Sequence, residues 1–324
     1  MQEENITTNI YWADNERFAD IMNVGMFQSK KVLSADKLKE VDSYLKTMVG
    51  KPKKKTRVQK YRDVVKKAAF DANFVIVGIE NQTDIHYAMP VRVMGYDFLD
   101  YDKQLKEIKR LHRKNKDLSD AEFVSGFSKE DKLSPICTLV LYYGEEPWDG
   151  PTRLSGLLNF DGLPDEVREV IADYPIHVID MRRFEDSEKL ETDARLLFGL
   201  MQREGNWEEW EAYQADNEEA FRNMSEDAYD AIAVLTKSEE LIKIKKDNTK
   251  EEGAVDMCEA IKQMKMREGI RMKVQDILEL LYELGEVSEE LKSKITTETN
   301  MEILSKWLKL AAKSDTIEEF VGAM

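Results

Sequence analysis

Cysteine is nearly absent from this chain of 324 residues, with only Cys137 and Cys258, far apart in sequence. That excludes a disulfide scaffold and a cysteine metal site, and it predicts a reducing, cytoplasmic setting. Histidine is equally scarce. Neither His86 nor His112 stands at a ligand spacing from another His or Cys, so both read as ordinary polar positions, and His177 reads as packed within a strand. Long apolar runs are missing too. The longest, around Phe74 to Ile79 and Ile136 to Tyr143, are strand-sized and fall far short of the roughly 20 residues that cross a bilayer, which predicts no membrane partner. The first ten residues are acidic and polar where a secretory signal needs positive charge and then an apolar stretch, so export by that route is not expected.

Positive charge is in deficit overall. With 48 Lys+Arg against 64 Asp+Glu the formal charge is -16, which by itself argues against a nucleic-acid partner. The distribution is uneven, however. Residues 51 to 67 carry nine Lys/Arg, and Lys103, Lys106, Lys109, Arg110, Arg113, Lys114 and Lys116 form a second basic stretch. The first reads as a solvated loop. Between Glu204 and Asp230 there are ten carboxylates, read as one exposed helical face.

The 42% apolar content is enough for a core. From Trp12 to Phe27, Phe18, Ile21, Met22 and Met26 recur at helical spacing behind Asp14 and Asn15 as caps, with Gly25 near the end. A second helical pattern follows Ser34 through Leu38, Val41, Tyr44 and Leu45. Phe74 to Ile79, Pro135 to Tyr143 and Pro175 to Met181 read as buried strands. A long helix is expected from Met89 to Lys116, with Pro90 in its first turn. Strands interleaved with helices make this part α/β, and beyond Asp186 only helices are expected. Lys243 to Gly253 reads as a flexible joint into a helical tail. The expected domains are 1–200, an acidic helical extension at 201–238, and a tail at 239–324.

An acidic residue ends an otherwise buried strand in Val77-Gly78-Ile79-Glu80-Asn81-Gln82. Alternation puts Glu80 and Gln82 on one face and Asn81 on the other. Upstream, within a basic segment, lies Asp63. Two carboxylates at strand ends call for a compensating cation, and a hard divalent ion is one solution. An edge-strand Glu paired with Lys or Arg, and Asp63 in a surface ion pair, are the other. Tyr143 and Trp148 read either as base-stacking residues or as core plugs.

The blocks Lys60-Tyr61-Arg62-Asp63-Val64-Val65-Lys66-Lys67, Gly78-Ile79-Glu80-Asn81-Gln82-Thr83 and Tyr87-Ala88-Met89-Pro90-Val91-Arg92 occur in that order, followed by Leu141-Tyr142-Tyr143-Gly144 with Trp148, Pro151 and Leu154. Together with Glu16-Arg17-Phe18-Ala19-Asp20, they resemble the bacterial PD-(D/E)XK nuclease family transposases, relatives of the recombination-promoting nucleases, over residues 12 to 200. Val287 to Val321 resembles a helical tail of some members. The resemblance implies a restriction-endonuclease-like core, a mixed sheet flanked by helices, with an all-α C-terminal extension. It implies a DNA endonuclease in which Asp63 and Glu80 hold Mg²⁺ or Mn²⁺, the Asn81 backbone carbonyl assists, and Glu16, or its rival Asp20, adds an acidic group. Gln82 stands where the wider group usually has Lys. The residues expected to meet DNA are Lys60, Arg62, Lys66, Lys67 and Arg92. Asp63→Asn and Glu80→Gln are each expected to abolish cleavage without lowering stability. The alternatives are a catalytically weakened DNA-binding protein and a helical assembly protein forming homo-oligomers through its tail.

Overall fold

The computed structural model describes residues 2–41, 44–49, 56–61, 63–70, 73–251 and 253–324, and the side chains of these except at 2–4, 44–49, 56–61, 73 and 74. They form two compact units, 1–216 with 227–237, and 217–226 with 238–324.

The first unit opens with two helices, α1 (Gln2–Ala13) and α2 (Asn15–Gly25). Asp14 separates them and caps α2, accepting the Glu16 and Arg17 amides at 2.9 and 3.0 Å. This is the cap expected from sequence, and α2 buries Phe18, Ile21 and Met22. Helix α1 carries no strong pattern but buries Thr8, Tyr11 and Trp12.

After Ser34 the chain departs from the expected helix. A 3-10 turn at Ala35–Lys37 leads into β1 (Leu38–Glu40), and β2 (Tyr44–Val49) pairs antiparallel with β3 (Thr56–Tyr61), Tyr44 opposite Tyr61 and Val49 opposite Thr56. Apolar residues here do fall at helical spacing, but cross-strand partners available further along the chain override so weak a local preference. For the same reason the basic stretch is not simply a loop. Part of it is β3, and its end begins β4 (Val64–Phe70), where Val64, Val65 and Ala68 are buried.

The main sheet has the order β1-β4-β5-β6-β7. Its β5 (Asn73–Gln82) pairs antiparallel with β4 and parallel with β6 (Ile136–Tyr142), which pairs parallel with β7 (His177–Asp180). The sheet is therefore mixed, and β5 is interior. Between β5 and β6 run α3 (Met89–Asn115), starting at Pro90 as expected, and α4 (Asp120–Ser125). After β6 come α5 (Asp165–Val170), α6 (Ala194–Gln202) and α7 (Trp207–Asp216), while α8 (Glu218–Arg222) belongs to the second unit and α9 (Glu226–Leu235) again to the first. On the α3 face, Met89 and Val93 pack with Val140 and Ile176. His177, expected to be packed, is exposed on the edge strand β7. Trp148 is half-buried, packs edge-on against Tyr142 and against the Met89–Val140 cluster, and donates from its indole N–H to the Gly150 carbonyl at 2.8 Å, while Tyr143 is buried in the core.

The second unit adds α10 (Glu239–Ile244), α11 (Met257–Leu284), α12 (Glu289–Thr297), α13 (Met301–Ala311) and α14 (Ile317–Ala323). Ile277, Leu281, Leu291, Ile295, Leu304 and Phe320 make its core. The expected joint near residue 245 is instead ordered: a 3-10 turn covers Lys245–Asn248, the Asn248 amide donates to the Ile244 carbonyl at 2.9 Å, and Val255 pairs with Met224 and Thr249. In the acidic stretch the carboxylates face outward while Trp210, Tyr213, Phe221 and Tyr229 are buried. Among the described residues no helix is long and apolar enough to cross a membrane.

Candidate functional site

Strand β5 carries polar side chains to both faces of the sheet at its C-terminal end, and alternation sorts them as expected. Glu80 and Gln82 point to α3, while Asn81 points to α1 and donates to Asn9 Oδ1 at 2.8 Å. Because β5 lies between β4 and β6, Glu80 is only 1% exposed. It is not on an edge strand, but it is ion-paired. Arg92 Nη2 reaches Glu80 Oε1 at 2.7 Å, and the Tyr96 hydroxyl donates to the same oxygen at 3.0 Å. Arg92 and Tyr96 lie one turn apart on α3, and Arg92 Nε donates to the Tyr96 oxygen at 2.9 Å. Burial and then the Glu80 charge push the Tyr96 hydroxyl up to about 12, which keeps it a donor.

Asp63 arrives from the other arm of the β4–β5 hairpin. Val64 pairs with Ile79, so Asp63, immediately before β4, lies across from Glu80. Its Oδ2 accepts the Asn81 backbone N–H at 2.8 Å, and its Oδ1 meets the Asn9 amide at 3.5 Å. Burial raises the Asp63 pKa, and the Asn81 and Asn9 hydrogen bonds and the charge of Arg92 offset this only partly. Burial also works against the charge on Arg92, but Glu80 and Tyr96 outweigh it and its pKa rises. One guanidinium thus acts on both carboxylates.

Gln82 spans the remaining gap. Its Nε2 donates to the Asn81 carbonyl at 2.6 Å, and its Oε1 accepts from Arg92 at 3.4 Å. The Asn81 carbonyl, expected to assist a metal, therefore already accepts from Gln82.

The other expected site residues are placed elsewhere. Glu16 is exposed and, with Asp20, Lys31 and Lys189, lines a separate hollow of about 370 Å³ that contains neither Asp63 nor Glu80. Asp20 is held there by the Glu191 and Thr192 amides and the Thr192 hydroxyl at 2.7 to 2.9 Å. Lys66, expected to meet DNA, is fully buried. Its ammonium donates to the Ala13 carbonyl and to Asn15 Oδ1 and sits 5.4 Å from the Phe18 ring, so it ties the α1–α2 corner to the sheet. Burial lowers its pKa. Lys67 is half-buried. Arg92 is turned inward. The Lys60 side chain and Arg62 lie outside the described residues. The sequence reading missed Asn9 and Tyr96, which sit on helices remote from the carboxylates in sequence; only the α3 spacing Arg92–Tyr96 carried a signal.

Among the described residues no group of three or more His, Cys, Asp or Glu is arranged to hold a metal. A hard cation at the hairpin would therefore draw on two carboxylates and on neutral oxygens. Asn81 Oδ1 is buried and lacks a hydrogen-bond partner among the described residues, but it lies on the α1 face, opposite Glu80, and is not placed to share an ion with it. Asp63 likewise has no cation within ion-pair distance among the described residues. The donors are hard oxygens and fit such an ion, which would compete with Arg92 for Glu80.

No curated protein and no solved structure matches this chain. A family model does: the one described as "Putative transposase, YhgA-like" matches residues 55–216, half of the chain, and that span runs from β3 through Asp63, Glu80, Gln82 and Arg92 to the end of α7. The chain belongs to the YhgA-like transposase family.

Proposed function

We propose that the first unit is a DNA endonuclease with a restriction-endonuclease-like core, acting on phosphodiester bonds with Mg²⁺ or Mn²⁺ in the setting of mobile-element DNA. The observation that carries this is the β4–β5 hairpin, which sets Asp63 across from Glu80 with Gln82 on the Glu80 face. Asp63 and Glu80 would hold the ion, with water completing its shell. When bound, the ion lowers the pKa of a coordinated water and offsets charge on the phosphoryl oxygen. Gln82 is a neutral amide, so it orients by hydrogen bonding and supplies no charge. Arg92, beside it on α3, supplies the cation that a lysine at position 82 would bring, and Tyr96 holds Arg92 and Glu80 in place.

Incubating supercoiled plasmid with the full chain and Mg²⁺ or Mn²⁺ should produce nicked or linear product that EDTA abolishes. No product across several DNA sequences and both ions would defeat the proposal. A second reading, a DNA-binding protein without turnover, draws on the Arg92–Glu80 ion pair, which already neutralises the site, and on Gln82. It predicts an inactive parent that Gln82→Lys activates.

A further inference from the structure

The distal half of α3 is unlike the rest of this acidic chain. From Lys103 to Lys116 there are seven Lys/Arg and one acid, Glu107, against -16 overall. Lys106 is paired with Asp102 one turn back. Lys109, Arg110, Arg113, Lys114 and Lys116, in contrast, have no acidic partner among the described residues. Beside them, Lys109, His112, Arg113 and Lys116 form one wall of a hollow of about 530 Å³, and Leu118, Phe123 and Val124 contribute apolar side chains to it.

The apolar side chains are held out in solvent by a well-tied loop. Phe123 is 75% and Val124 90% exposed, on α4. That helix is fixed by a capping box in which the Ser119 amide donates to Glu122 at 3.0 Å. His112 joins α3 to Asp117 at 2.6 Å and to Asp131 at 2.8 Å, one on either side of α4. Gly126, in the left-handed region with φ of 68°, lies against the aliphatic stem of Lys109. Large apolar side chains fixed in this way mark a contact surface.

We infer that this ridge, distal α3 with the α4 knob, is a DNA-docking surface separate from the Asp63–Glu80 site. Unpaired cations fit phosphates, and Phe123 and Val124 fit an exposed sugar or base face. Lys109 to Lys116 spans roughly 10 Å of helix axis, about three phosphate steps of one strand. The inference rests on DNA being the partner in the proposed function, but not on cleavage.

The test is fluorescence anisotropy of a short labelled duplex with the full chain in EDTA, across about 50 to 200 mM salt. The triple variant Lys109→Gln, Arg113→Gln, Lys116→Gln should flatten the plot of log affinity against log salt by about 3, at roughly 0.9 per phosphate contact. Phe123→Ser should weaken binding at every salt and leave the slope unchanged. The triple exchange to the other basic residue (Lys→Arg, Arg→Lys) should keep the slope, which separates charge from folding. A flattened slope with no plasmid nicking in Mg²⁺ would support the surface while defeating the nuclease. The surface is refuted by an unchanged slope in the triple variant, by no DNA binding of the wild type in EDTA, or by loss of binding to phosphatidylserine vesicles with DNA binding intact.

Discussion

Glu80 and Asp63 face the same demand, a carboxylate out of water, and meet it differently. Glu80 has a guanidinium at 2.7 Å and a phenol at 3.0 Å, whereas Asp63 has an amide N–H at 2.8 Å and no ion pair among the described residues. Their amide variants should therefore diverge, contrary to the common behaviour expected from sequence. Glu80→Gln leaves Arg92 half-buried without its charge partner. It should cost about 2 kcal/mol, below the roughly 3–5 of a fully buried pair because the Arg92 side chain is 32% exposed. Asp63→Asn removes a charge that burial disfavours while its oxygen still accepts from Asn81, so the melting temperature of the metal-free protein should hold or rise. Both should abolish metal-dependent nicking. Thermal denaturation in EDTA checks this, and equal destabilisation by both variants would contradict the assignment. At this scale the face alternation of Glu80, Asn81 and Gln82 was legible because a strand's period is fixed. The ion pair to Arg92 was not, because it depends on which turn of α3 crosses β5.

Elements show where local signals fail. The α2 cap, the α3 start and the buried strands β5 and β6 rest on residues whose preference and tertiary setting agree, and they were legible, whereas β7 was legible as a strand but lies at the sheet edge and is only partly buried. Leu38 to Leu45 and the basic run were misread because β pairing is non-local: β1 needs β4, and β2 needs β3. Lys66 follows from this, since a lysine in a β strand backed by two helices has no route to solvent and finds the Ala13 carbonyl instead. The α3–α4 connection carries a pH signature. Hydrogen bonds to Asp117 and then Asp131 raise the His112 pKa; His112 in turn lowers Asp117, while at Asp131 the Ser128 amide and then His112 outweigh burial and lower it. A raised histidine contributes stability that is complete below its unfolded value of about 6.5 and is lost as pH rises through its higher folded value. The lowered aspartates keep their contribution above about 3.9 and lose it as pH falls through their folded values. The His112 ring protons, followed by NMR, should titrate above about 6.5, and Asp117→Asn should bring the midpoint down. A midpoint at or below the ordinary value would show that the ring does not tether this loop.

Across the whole molecule, charge and core are divided rather than averaged. The net -16 obscures a basic ridge on distal α3, so total charge is a poor guide to local surface charge. In the first unit Val77, Ile79, Leu139 and Phe18 are fully buried, and in the second Ile277, Leu281, Ile295 and Leu304 belong to one apolar core. Two compact units predict separable stability. Leu304 is fully buried on α13, so Leu304→Ala should cost about 2–5 kcal/mol through lost burial and the cavity left behind. Native-state amide exchange locates that cost. The slowest amides of α11 and α13 should lose protection by that amount, while those of β4, β5 and β6 keep theirs. An equal loss in the sheet would mean that one cooperative core supports both units, and the first unit would then depend on the second for its stability.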